Sequence, residues 1–245
     1  MTARVKNLFL LAAVVFFAFF IFSSSFAESF LSILFPLQPD TVYTRAKLPA
    51  LLGEHVLLVL ISGVCASAFG IFTGIGVTRP GGRIYYPLAR SISSMAQTFP
   101  PAAVLALAVP LIGYGFKPVI TALFMYSIFP VISNTIAGME NVPPEIIEAS
   151  RGMGMTDRQI LFKIELPLAA KITWAGVRTS AVINIGTATI GAVAGAGGLG
   201  RIIIAGLIHD NMAFIFTGAL SSAMLAFFVD RLFSAIDAWL FSARQ

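Results

Sequence analysis

Few residues in this chain could do covalent, metal or phosphate chemistry, and none has the company that chemistry needs. His55 and His209 each stand near the edge of an apolar block without a nucleophile, carboxylate or second ligand at a recognised spacing. Cys65 is the single cysteine and lies inside an apolar block, which excludes an internal disulfide, speaks against a metal site and reads as a small buried hydrophobe. The glycine-rich run GAGGLG at 195–200 lacks the Gly-Lys-Ser/Thr ending of a phosphate loop, and no such ending occurs elsewhere. What remains is the longest run in the second half without a membrane-like apolar block, 141–167, NVPPEIIEASRGMGMTDRQILFKIELP.

Pro143 and Pro144 suit a first helical turn, so 145–151 is expected to form one short helix. Gly152 and Gly154 break it, since glycine reaches positive φ without steric cost. Thr156 and Gln159 have capping-box spacing, Asp157 complements the start of the next helix and Lys163 its end. Ile160 and Ile164 share a face, and Pro167 is expected to stop the helix. The product is two short amphipathic helices on a glycine hinge, a rigid knob.

The elements that hold this knob are membrane spans. Hydrophobic residues are 58% of the 245 and charged ones 11%, against about 25% charged in soluble domains. The chain is therefore an all-α integral membrane protein, a bundle of about six transmembrane helices, or five if the first is cleaved. The net charge of +5 reports which loops face the cytoplasm, so nucleic acid is not an expected partner.

Arg4 and Lys6 precede an apolar run at 8–22 followed by Ser23-Ser24-Ser25 and Phe26-Ala27, which fits both a retained first span and a cleaved signal peptide; the run can extend to Phe26, which favours retention. Residues 28–49 read as an external loop with a short interfacial helix near 30–35. The second span, 50–77, carries Gly63, Ser67, Gly70 and Gly74, small residues that allow close helix contact, with Glu54 and His55 near its start within reach of headgroups. The third, 94–112, contains Pro100, Pro101 and Pro110, and the fourth, 118–138, contains Pro130 and Asn134. The fifth, 172–196, places Ser180, Asn184, Thr187, Gly191, Gly195 and Gly198 on one side, either a wall of a water-accessible path or a packing seam. Arg178 is expected to snorkel or find a carboxylate. A short helix at 202–208 and a last span at 212–233 with an amphipathic tail complete the chain. Trp174 and Trp239 fit interfacial anchors. With the N-terminus inside, twelve basic residues, Arg244 among them, face the cytoplasm and only Arg45, Lys47, Lys117 and Arg201 face out, which puts 141–167 on the cytoplasmic side.

Glu148-Ala149-Ser150, then Gly154, Ile164, Leu166 and Pro167 at fixed spacing, resembles the EAA loop of permease subunits of bacterial ABC importers, with Ser150 in place of the commoner second alanine. Val77-Thr78-Arg79-Pro80, Gln97-Thr98-Phe99-Pro100-Pro101 and the run 175–200 resemble the permeases of osmoprotectant importers, which move glycine betaine, choline and related quaternary amines. The likeness spans about 50–235. It implies a type I ABC importer permease core over 50–245 with a coupling loop at 141–167, preceded by an N-terminal span and external loop over 1–49. It also implies ATPase subunits, a second permease subunit and an extracytoplasmic binding protein as partners, in the bacterial inner membrane. On that likeness Glu148, Ala149, Ser150, Gly154, Ile164, Leu166 and Pro167 couple to the ATPase. Ser180, Asn184, Thr187 and Gly191 are candidates for the translocation path, and no cofactor is expected of the chain itself. A permease for another small solute, such as methionine, is the runner-up. A gradient-driven transporter would need titratable groups within the spans, where the acids here sit near span ends, and an intramembrane enzyme would need a reactive cluster at depth.

Overall fold

Long apolar runs with no competing turn chemistry become long helices, and the computed structural model, which describes residues 3–96 and 98–241, is built of helices with no strand among those residues. Gln97 and Arg244, which figure in the motif and the charge count above, lie outside them. In chain order the helices are α1 (Ala3–Phe22), α2 (Ser24–Leu34), α3 (Leu48–Thr78), α4 (Tyr86–Ala96), α5 (Pro101–Ile112), α6 (Phe116–Glu140), α7 (Pro144–Gly152), α8 (Asp157–Ile160), α9 (Leu166–Ala188), α10 (Gly200–Ile208) and α11 (Met212–Phe241). Of these, α3, α6 and α11 are each long and apolar enough to cross a membrane.

The first and third spans differ from the sequence expectation. The apolar run does not continue straight to Phe26: the chain bends by 103° between α1 and α2. Ser23, extended at φ −113° and ψ 102°, caps α2 by accepting a hydrogen bond from the Phe26 amide at 3.4 Å, the competition with helix that serine side chains offer. The bent pair still packs inward, with Phe20, Ile21, Ala27 and Leu31 buried against Leu48, Leu52, Phe216 and Leu220. The third span is two helices. Pro100 and Pro101 disfavour helical backbone in the residues before each of them, so α4 ends before Thr98 and α5 restarts with Pro101 in its first turn.

The core is a three-helix layer with α6 in the middle. More than half of the most apolar stretch of α6 is buried, twice the share in α3 or α11. Its approach to α3 and α9 is set by glycines. A Cβ at Gly70 would sit 2.8 Å from that of Val131, and one at Gly74 2.6 Å from that of Thr135. On the other side a Cβ at Gly138 would sit 2.8 Å from the Ala169 carbonyl oxygen, and one at Gly176 2.5 Å from the Asn134 Cβ. Without a hydrophobic driving force between helices in lipid, such close contact is the main source of association. Leu58, Val119, Leu123, Ile185 and Ala188 fill the space between the three helices. Cys65 does not join this core. It is exposed on the outer face of α3, because the buried line of that helix runs through Ser62, Ala66, Gly70 and Gly74.

Gly176→Val is expected to lower the stability of the detergent-solubilised protein by about 1–3 kcal/mol, the usual cost of overpacking. Gly76→Ala, where a new Cβ would meet nothing within 4 Å, is expected to leave the thermal unfolding midpoint unchanged; equal midpoints for the two variants would contradict the packing described.

Candidate functional site

The 141–167 stretch emerges as a hard-edged knob at one end of the bundle. Pro143 supplies the extended N-cap of α7 and Pro144 its first turn. The helix closes with two bonds that satisfy its last carbonyls: the Gly154 amide donates to Arg151 O at 2.9 Å and the Met155 amide to Ser150 O at 3.1 Å. Gly154 has φ +81°, and a Cβ there would meet nothing within 4 Å, so the demand for glycine is one of backbone conformation and not of space. Gly152 is the last helical residue of α7. Both bonds of the capping box are present, Gln159 N to Thr156 Oγ1 at 3.3 Å and Thr156 N to Gln159 Oε1 at 2.8 Å.

Pro167 does not stop the second helix. α8 runs through a π turn, Leu161–Glu165, directly into α9, with Pro167 in the first turn of α9. Proline has no amide hydrogen and its ring crowds the preceding turn; a widened turn, in which the Leu166 amide reaches back to Leu161 O, accommodates both. The second short helix is thus the leading end of a long one.

The knob presents Glu148 and Ala149 to solvent and buries Ser150, whose hydroxyl donates to Ile146 O at 2.7 Å. Ile164 is half-buried, and Leu166 packs with Leu161 and Ile147 on Met139, Val142 and Ala169. This apolar root fixes the knob to the ends of α6 and α9. Three apolar side chains stay outside: Ile146, Met153 and Phe162, the last two 74% and 67% exposed. Large apolar residues in an otherwise polar stretch were the available signal for this face, which the spacing of Glu148, Ala149 and Gly154 does not reveal.

One ion pair braces this end and a second lies further along α9. Arg79 grips Glu165 with both Nη atoms, at 2.6 and 3.1 Å, and Arg178 finds its carboxylate in Asp230 of α11 at 2.6 Å. Tyr86 donates to Glu140, and Arg90 to the Tyr86 hydroxyl at 2.9 Å.

The polar stripe of α9 turns inward. Ser180 donates to Ser127 O of α6 at 2.7 Å, and Asn184 donates to Ser62 of α3 at 2.8 Å, both fully buried. Gly191 lies against Val119, Thr187 is half-buried and donates to Ile183 O at 2.9 Å, and Gly195 and Gly198 have positive φ in the loop beyond. Ala175, Thr179, Ile183 and Gly186 form the exposed face of the same helix. His55, expected at the headgroups, is instead fully buried, its Nε2–H donating to Ile185 O at 3.0 Å. Glu54 beside it accepts the Gly198 amide at 2.8 Å and faces Arg201 at 3.6 Å, tying the glycine loop to α3.

Residues 66–242 match the family described as binding-protein-dependent transport system inner membrane component. The osmoprotectant import permease protein OsmY of Salmonella typhimurium is 38% identical over 182 residues, 74% of this chain and 77% of OsmY. The choline transport system permease protein OpuBB of Bacillus subtilis is 37% identical over 72% of this chain and 81% of its own. The carnitine transport permease protein OpuCD of Listeria monocytogenes is 36% identical over 75% of this chain and 82% of its own. Among solved structures, a chain of the inward-facing MetNI methionine ABC transporter superposes with a TM-score of 0.68 at 24% identity, covering 77% of this chain and 94% of that one, a likeness of fold. These relatives are named as transport permeases, not enzymes, and the helices that carry the knob lie within the matched region. The chain belongs to the family of inner membrane components of binding-protein-dependent transport systems.

Proposed function

We propose that the chain is the permease subunit of an ATP-driven osmoprotectant importer, with 141–167 as the loop that docks on a separate ATPase subunit. The observation that carries this is the knob: Glu148 and Ala149 stand exposed on a short helix whose two ends are fixed by the Gly154 turn and the apolar root, beside exposed Met153 and Phe162. An exposed apolar patch rimmed by polar groups on a stiff support suits a protein interface. Ala149 permits close approach, Ser150 is kept inward, Ile164, Leu166 and the π turn at Pro167 lead the movement into α9, and Gly154 fixes the angle between α7 and α8.

The N-terminus and the knob lie on the cytoplasmic side, by the excess of basic residues there. Residues 50–245 form the permease core and 1–49 an added span with an external loop. A second permease, a copy or a paralogue, completes the path. Ser180 and Asn184 shape its wall from behind by holding α9 to α6 and α3, Gly191 does so beyond α9 by lying against Val119, and half-buried Thr187 borders the path beside Thr179, Ile183 and Gly186 on the exposed face of α9. The solute is a small quaternary amine of the betaine, choline or carnitine type, a reading supported by what the relatives' names say of those proteins. An extracytoplasmic binding protein supplies it.

Gly154→Val forces a β-branched residue to φ +81°, at a cost of about 1–2 kcal/mol or more. It is expected to leave membrane insertion intact while ATP-driven uptake falls at least about tenfold; normal uptake would refute the role given to this turn. In proteoliposomes with ATPase, binding protein and ATP, labelled choline or glycine betaine is expected to accumulate. Accumulation of methionine alone would reject the solute class.

A further inference from the structure

We propose that Arg79 and Glu165 are positioning residues for coupled transport: their ion pair is a polar link that carries movement of the 141–167 knob directly to the end of α3, an inference resting on the knob's reading as the ATPase-docking loop. The knob is continuous with α6 through Asn141 and with α9 through the π turn. It is not contiguous in sequence with α3, the third member of the central layer, which meets its apolar root through Ile75. Four ion pairs are formed among the described residues. Arg151–Asp157 lies within the knob with both side chains mostly exposed, Arg178–Asp230 joins α9 to α11, and Glu54–Arg201 is at the opposite end. Arg79–Glu165 alone among them joins the end of α3 to the knob's exit.

Its geometry suits a strut. The guanidinium meets both carboxylate oxygens, at 2.6 and 3.1 Å, a forked arrangement that fixes direction as well as distance. The Glu165 side chain is 9% exposed and that of Arg79 30%, so the carboxylate is largely shielded from water and the guanidinium partly so. Glu165 is the last residue of the π turn, and a π turn takes up an extra residue, rotating the downstream helix by about 100° relative to a regular one. At the other end Arg79 is the C-cap of α3, and its Nη2 also donates to Thr78 Oγ1 at 3.3 Å, while Thr78 donates to Ile75 O at 2.8 Å. Each end is thus anchored in a helix terminus and not in a loose loop. A cavity of about 290 Å3, lined by Arg79, Arg83, Tyr86, Glu140 and Glu165 among others, lies beside the pair.

The test uses the complete importer in proteoliposomes, comparing solute moved per ATP hydrolysed for wild type, Arg79→Glu, Glu165→Arg, the double exchange Arg79→Glu/Glu165→Arg, and the milder Arg79→Lys and Glu165→Gln. Each single reversal is expected to cut that ratio about tenfold while the ATPase subunit still copurifies and basal hydrolysis stays within about twofold. The double exchange is expected to recover much of the ratio. Where a reversal fails to assemble, Arg79→Lys and Glu165→Gln decide the matter, with an expected loss of about threefold in the ratio at wild-type yield. Activity and thermal stability falling together at an unchanged ratio would overturn the strut and leave a structural pair. Normal coupling in Glu165→Gln would overturn the strut while leaving the docking role standing. Wild-type uptake that needs no ATPase subunit would overturn both.

Discussion

Everything in this bundle depends on how closely α3 and α9 can approach α6. In a bilayer the apolar faces of helices gain little by leaving lipid, so association rests on contact distance and on polar groups that find partners. Gly70, Gly74, Gly138 and Gly176 make the contact distance short by removing the side chains that would hold the helices apart. The backbones then come within reach of short polar side chains, and Ser180, Asn184 and Ser62 connect helices that larger residues would have kept separate. A buried hydroxyl or amide in such surroundings is costly unless paired, so these bonds also penalise any sliding of one helix along another. The central layer therefore moves as a unit or by discrete rearrangement.

The two ends of that layer are finished differently. At the end away from the knob, His55 and Glu54 of α3 hold the last turn of α9 and the glycine loop beyond it. At the knob end the ties are charged and longer in reach, Arg79 to Glu165, with Tyr86 bound to Glu140, while Arg178 meets Asp230 near the middle of α9. Arginine suits position 79 because its planar fork holds both oxygens of a carboxylate. The knob's exit is thus tied to α3, and α9 to α11, by side chains and not by continuous backbone.

Much of this was legible in the sequence, and the parts that were not have identifiable causes. The knob was readable because its signals are local: Pro143 and Pro144, the left-handed Gly154 and the Thr156–Gln159 box each act within a few residues. Pro167 misled for the same reason, since the local rule that proline ends a helix omits the π turn that lets α8 continue into α9. The bend at Ser23 and the break before Pro101 interrupt apolar runs whose hydropathy alone looks continuous. Burial was harder still. The inward line of α3 passes through Ser62, Ala66, Gly70 and Gly74, so Cys65 faces out and His55 faces in, a choice made by contacts with α6 and α9 that no window of α3 contains. The partnership of Arg79 and Glu165 crosses 86 positions of sequence, so no local pattern carries it.

The central physical claim is that a stiff projection on the inner side of the membrane meets a separate motor protein. A photoactivatable cross-linker placed at Met153, whose side chain is 74% exposed, tests it directly in membranes containing the whole transport system. The adduct is expected to contain the ATPase subunit; an adduct with the extracytoplasmic binding protein, or none with the ATPase, would contradict it.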